Sequence, residues 1–371
     1  MDGAFCLTIL IMHQQPIAPG SPPRTFHPPP LTLASGTVLE RWAIRHECYG
    51  TPGHPAILVC PALGEGCHAA GILTESAGNS LEPWERLQGR TGWWHTLIGP
   101  GLPLDTERYF VIVPSPLGNC VGTSGPAAVD EGTALVKGPP WHHLSITDIA
   151  TAHALLLDHL GVERAMFAGG SLGGMAAIEL ALLEPQRCAG LLVFAAPTSQ
   201  TAWASEILEL LEGIVACDPD PVRPCGSPPA TAYCHAVHTL FLVNHTRHEY
   251  VERAARQAFA DAGSLRQAAL RFAQRIEVRG FRLQLDAARH YGAANDRADQ
   301  LAMVGRLDVP KRIVGYTTDN LYGPDDIIAS AQAIGAQHEI VSTMYGHTGF
   351  LLDVPATAAT LRCFLAELDA S

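Results

Sequence analysis

The stretch FAGGSLGGMAAIEL, Phe167 to Leu180, sets one serine among four glycines, between an apolar run and a helix-like run. A chain that turns from strand to helix within a residue or two brings backbone segments so close that side chains beyond hydrogen would collide. The glycines answer that steric demand, and such a turn suits the carboxyl end of a strand in a helix-covered sheet. Other short apolar runs repeat the theme: AILVC at Ala56–Cys60, YFVIVP at Tyr109–Pro114, AMFAG at Ala165–Gly169, GLLVFAAP at Gly190–Pro197, RIVGYT at Arg312–Thr317 and HEIVST at His338–Thr343. Helical patterns such as Ile146–Leu160 and Gly174–Leu183 separate them. Continuous apolar runs in this alternation indicate parallel strands buried on both faces, so the fold class is α/β with a mostly parallel central sheet.

The alternation lapses over residues 198–307, which read as mostly helical and are interrupted by the loop DPDPVRPCGSPPA. Helices intruding between two strands predict a cap over the carboxyl edge of the sheet, where ligands bind. The expected organisation is an irregular leader over residues 1–30, a core over 31–197 and 308–371, and a helical cap insertion over 198–307. The leader expectation rests on HQQPIAPGSPPRTFHPPP, whose prolines remove backbone donors and fix φ. The preceding MDGAFCLTILIM carries Asp2 where a secretory signal carries Lys or Arg, and reads as an exposed leader or an added strand. No internal repeat has a fixed period.

With 47% hydrophobic and 16% charged residues over 371 positions, the chain is no disordered segment, and no apolar run approaches a membrane span. A formal charge of −12 without basic clusters repels nucleic acid and anionic membranes, which leaves small molecules as the expected partners. Ten cysteines without C-x-x-C spacing fit reduced thiols in a cytoplasmic protein.

Gly169-Gly170-Ser171-Leu172-Gly173 satisfies G-x-S-x-G in its required strand-to-helix context. A serine hydroxyl needs a base to remove its proton, and the base needs an acid to hold its tautomer. His347, in YGHTGFLLD between an apolar run and the terminal helix, is the base candidate. Asp319 lies nearest a strand end in RIVGYTTDNLYGPDD, with Asp325 and Asp326 as competing surface carboxylates. The order Ser171, Asp319, His347 is that of an α/β-hydrolase fold. The N–H groups of Leu172, at a helix start, and of Leu63, in VCPALGEG, are the expected oxyanion donors.

With these pieces placed, the chain resembles the homoserine O-acetyltransferase family. The segments that carry the resemblance are ILVCPALGEGCHAAG, WWHTLIGPGLPLDTERYFVIVPSPLGNCVGTSGP, SITDIATAHALLLDHLGV and GGSLGGMAAIELA. By that resemblance Ser171, Asp319 and His347 match the family triad, and Leu63 and Leu172 its oxyanion residues. Acetyl-CoA or another acyl-CoA is the implied co-substrate, with no tightly bound cofactor. The family follows its histidine with Asp in a GHDAFL segment, where this chain has Thr348 in GHTGFL. It also grips the substrate carboxylate with a cap arginine seven residues before a tyrosine, and AYCHAVHTLFL puts Cys234 and Phe241 there. A thiol or apolar side chain cannot pair with a carboxylate. The expected activity is therefore serine-dependent acyl transfer to a hydroxyl acceptor other than homoserine, with Cys234, Phe241 and Thr348 on the substrate side. A carboxylesterase using the same triad is the alternative, because water takes the acyl group wherever the cap admits it. A homodimer is left open. The histidines His235, His238, His245 and His248 complete no recognisable metal-ligand spacing, so no metal is expected, and Trp93 and Trp94 read as packing under the cap.

Overall fold

Alternate residues along the central strands face opposite sides of one sheet, and both sides are apolar. Ile57 and Val59 join one buried cluster while Leu58 and Cys60 join the other, as the two-residue side-chain period requires. In the computed structural model, residues 21–73, 91–119, 122–126, 141–218, 229–249 and 265–370 are described. MDGAFCLTILIM and most of the proline loop after Asp218 lie outside them.

Eight strands form the sheet: β1 Ser21–Phe26, β2 Ile44–Tyr49, β3 Ala56–Cys60, β4 Phe110–Pro114, β5 Ala165–Gly170, β6 Cys188–Phe194, β7 Lys311–Tyr316 and β8 Gln337–Val341. Their spatial order is β1-β2-β4-β3-β5-β6-β7-β8. Pairing is antiparallel for β1 with β2 and β2 with β4, and parallel elsewhere. Helix α1, Ile146–His159, starts with a capping box between Ser145 and Asp148, and α2, Leu172–Leu183, follows β5 directly.

One expectation is corrected. Residues 1–30 are not an irregular leader throughout, because Ser21–Phe26 is a strand at the sheet edge. Its register jumps between Ser21 and Arg24, across Pro22 and Pro23, which have no N–H to give to a ladder. An edge strand tolerates that gap. Strand β2 escaped sequence reading because IRHECY places Arg45, His46 and Glu47 in a strand that the sheet nonetheless buries. Glu47 is satisfied there by the Tyr49 hydroxyl and by His68 Nδ1 at 3.1 Å.

Between β6 and β7 the chain runs through α3 Ala202–Ala216, α4 Thr231–Asn244, α5 Leu265–Arg275, α6 Val278–Arg289 and α7 Arg297–Gly305. Arg297 ties this helical layer to the core. Its Nη1 donates to Glu179 Oε1 on α2 at 2.6 Å, and its Nε donates to the Thr198 carbonyl at 2.9 Å. Among the described residues no single helix is long and apolar enough to cross a membrane.

Two buried histidines give the fold a defined acid sensitivity. Burial pushes His153 down to about 3 and His46 down to about 4, from 6.5. Both are neutral in folded and unfolded chains above pH 6.5, so they do not oppose folding there. As pH falls below 6.5 the unfolded chain takes up protons that the folded chain refuses, and stability drops by roughly 2 kcal/mol per histidine at pH 5. The urea midpoint is expected to fall between pH 7 and pH 5, with a smaller fall in His153→Leu. An identical pH dependence in native protein and variant would contradict this assignment.

Candidate active site

Ser171 sits at the turn from β5 into α2 with φ 55° and ψ −126°, in the left-handed region that non-glycine residues avoid. Its neighbours show what makes the turn possible. A Cβ at Gly173 would fall on the Cys60 and Pro61 carbonyls of the chain leaving β3, and one at Gly170 would fall on the Phe350 ring. The Ser171 N–H donates to the Phe194 carbonyl at 2.9 Å, locking the turn to β6.

Asp319 follows β7. Its Oδ1 accepts from the Leu321 and Tyr322 N–H groups at 2.8 and 3.0 Å, which fixes the carboxylate as the head of its own turn. Its Oδ2 lies 2.9 Å from His347 Nδ1. With Nδ1 donating to Asp319, His347 Nε2 is left to accept a proton, and Ser171 Oγ lies 2.8 Å from it. The His347 turn is held from several sides. Gly346 adopts φ 59° and donates to Thr318 Oγ1 at 3.1 Å, while Trp94 Nε1 donates to the Phe350 carbonyl at 3.0 Å. Trp93 Nε1 donates to the Gly66 carbonyl at 3.0 Å, so both tryptophans support the loops around the serine. The competing carboxylates are elsewhere: Asp326 caps the helix Pro324–Ala333 and Asp325 is exposed.

A cavity of about 250 Å3 opens over Ser171 and His347. Leu63 and Leu172 both line it, and neither of their N–H groups has an acceptor among the described residues. Gly64, with φ 79°, lets the Phe272 ring of α5 come down onto this loop. The walls are mainly apolar, from Met175, Leu208, Leu240, Phe272, Leu285 and Phe350.

Of the three residues expected on the substrate side, Phe241 and Thr348 line this cavity. The Thr348 hydroxyl donates to the Tyr345 carbonyl at 2.8 Å. Cys234 does not line it, which corrects that expectation. Seven residues along α4 is a rise of about 10 Å, so Cys234 and Phe241 share a side of the helix but not a site. Glu65, Asn244 and Arg275 also line the cavity and were not singled out from sequence. Neither the Glu65 carboxylate nor the Arg275 guanidinium has a hydrogen-bonded partner among the described residues, and Asn244 Oδ1 is buried without one. Burial pushes the Glu65 carboxyl up, and Arg275 pulls against that shift. A charged residue between two glycines of the oxyanion loop was the available signal for Glu65.

The alpha/beta hydrolase fold family matches residues 55–354. A homoserine O-acetyltransferase of Thermus thermophilus is 33% identical over 334 residues, covering 89% of this chain and 87% of that protein. This chain belongs to the homoserine O-acetyltransferase family. Members of this family and esterases share its architecture. Esterase E22 superposes with a TM-score of 0.77 at 19% identity, over 92% of this chain and 99% of that one. A homoserine O-acetyltransferase from Staphylococcus aureus superposes with a TM-score of 0.74 at 22% identity, over 92% and 94% of the two chains.

Proposed function

We propose that the protein is a serine-dependent O-acyltransferase that carries an acetyl group from acetyl-CoA to a hydroxyl acceptor other than homoserine. The observation that carries the reading is the 2.8 Å approach of His347 Nε2 to Ser171 Oγ at the floor of a capped, mainly apolar cavity. His347, oriented by Asp319, takes the Ser171 proton as Oγ attacks the thioester carbonyl. The Leu63 and Leu172 N–H groups receive the oxyanion, and their freedom from other acceptors suits them to it. Collapse of the tetrahedral intermediate expels the CoA thiolate, which takes the proton from His347, and leaves Ser171 acylated. The acceptor hydroxyl then gives its proton to His347 and attacks the acyl carbonyl, and the reverse sequence releases the ester.

The acceptor reading rests on the cap. Phe241 offers no charge to a carboxylate, and the Thr348 hydroxyl is spent on the Tyr345 carbonyl. Glu65, Asn244 and Arg275 supply a different set of polar anchors. Glu65→Gln and Arg275→Leu are each expected to raise the acceptor KM about tenfold or more, while p-nitrophenyl acetate turnover changes less than about threefold. Equal losses in both reactions would place these residues outside acceptor recognition.

A second reading is a carboxylesterase that hydrolyses short acyl esters with the same triad, favoured by the mainly apolar cavity wall. The test is CoA release from acetyl-CoA with and without a panel of hydroxyl compounds, homoserine included. Transfer predicts release that accelerates with one acceptor and yields its ester. Hydrolysis predicts acetate at a rate no acceptor changes.

A further inference from the structure

Away from Ser171, a second cavity of about 330 Å3 lies where α6 and α7 meet the core, and it shares no lining residue with the first. At its edge stand His143, from the loop before α1, and His290, at the end of α6. Both imidazoles turn toward one carboxylate, Asp286, four residues before His290 on the same helix. His143 Nδ1 contacts Asp286 Oδ2, and His290 Nδ1 lies 3.0 Å from Asp286 Oδ1 and 2.9 Å from the Asp286 backbone carbonyl oxygen. The ligand atoms of the three residues all lie within 4.8 Å of one another, and among the described residues this is the one such group.

We propose that His143, Asp286 and His290 bind a divalent transition-metal cation of the zinc type, which clamps the helical insertion onto the core. Two imidazoles and one carboxylate are a borderline-soft donor set that zinc favours, and three protein ligands leave a fourth position for water. The i, i+4 spacing of Asp286 and His290 puts both on one face of α6, so only His143 must come from elsewhere. The local charge supports a cation. Arg289 approaches Asp286 Oδ1 at 3.7 Å, but its Nε pairs at 3.1 Å with Glu212 Oε2, and Glu212 Oε1 is buried without a partner beside the group. Two carboxylates against one guanidinium leave the neighbourhood negative. The histidines of α4 and the segment after it do not form such a group: His235 and His248 are exposed, and His245 Nδ1 is taken by Glu249 at 2.8 Å.

The experiment uses the full chain stripped with EDTA, with Zn2+ titrated against a chromophoric chelator and Co2+ followed by its visible absorption. One equivalent is expected to bind. His143→Gln and His290→Gln, whose amides can still reach Asp286 and keep the fold, should weaken binding by at least about 100-fold. A His235→Ala/His248→Ala double variant should bind as the native chain does. Zn2+ should raise the melting temperature of the native chain and of that double variant, and not of the glutamine variants. No binding by the native chain, or native affinity retained in both glutamine variants with unchanged circular dichroism, would overturn the site.

Discussion

Ser171→Ala is expected to fold with native stability and to lose acyl transfer and ester hydrolysis by about 10^4-fold or more. The size follows from what the serine does. Without Oγ there is no covalent intermediate, and residual turnover comes only from binding and oxyanion donors that act on water's direct attack. Stability should hold or rise slightly, because alanine at φ 55° carries the same backbone strain as serine and loses only the bond from Oγ to His347 Nε2 at 2.8 Å. Steady-state rates with p-nitrophenyl acetate, alongside a urea titration, check both halves. A variant that keeps a tenth of native turnover would remove Ser171 from the chemistry.

The second large effect is structural. In Gly173→Ala the new methyl would fall on the Cys60 and Pro61 carbonyls, which are backbone atoms and cannot swing aside. Either α2 shifts away from β3 or β3 bends, and both dislodge the Ser171 turn. A destabilisation above about 4 kcal/mol, or failure to accumulate folded protein, is expected. Gly213→Ala is the control. That glycine lies exposed within α3 with open space around its Cβ position, so alanine there should stabilise by roughly 0.5–1 kcal/mol. Melting curves of the two variants side by side would sink the packing argument if Gly173→Ala matched Gly213→Ala.

The central strands β3 to β7 were legible because they are buried on both faces and write themselves as nearly unbroken apolar runs. Ser171 and Asp319 each follow such a run by a few residues, whereas His347 follows the half-exposed edge strand β8, where chain order relative to Ser171 carried more of the reading. The sheet edge was harder. β1 begins with two prolines, and β2 buries His46 and Glu47, so neither shows the apolar signature that marks β3 to β7. The cavity wall and the His143 group were harder still, because their members are distant in sequence. Glu65 and Arg275 come to line one cavity, and His143 meets Asp286, only after the helical insertion folds back over the sheet. Matching the family's seven-residue interval onto AYCHAVHTLFL misplaced Cys234 for the same reason. A seven-residue interval keeps two side chains on one helix face but not beside one another.

The central claim, a Ser171-linked acyl group drawn from a thioester, is tested most directly by intact-mass spectrometry of native and Ser171→Ala protein after brief exposure to acetyl-CoA. The account predicts one acetyl adduct on the native chain, matched by one equivalent of free CoA, and none on the variant. An adduct of equal yield on both proteins, or no adduct and no CoA release from the native chain while p-nitrophenyl acetate still acylates Ser171, would contradict it.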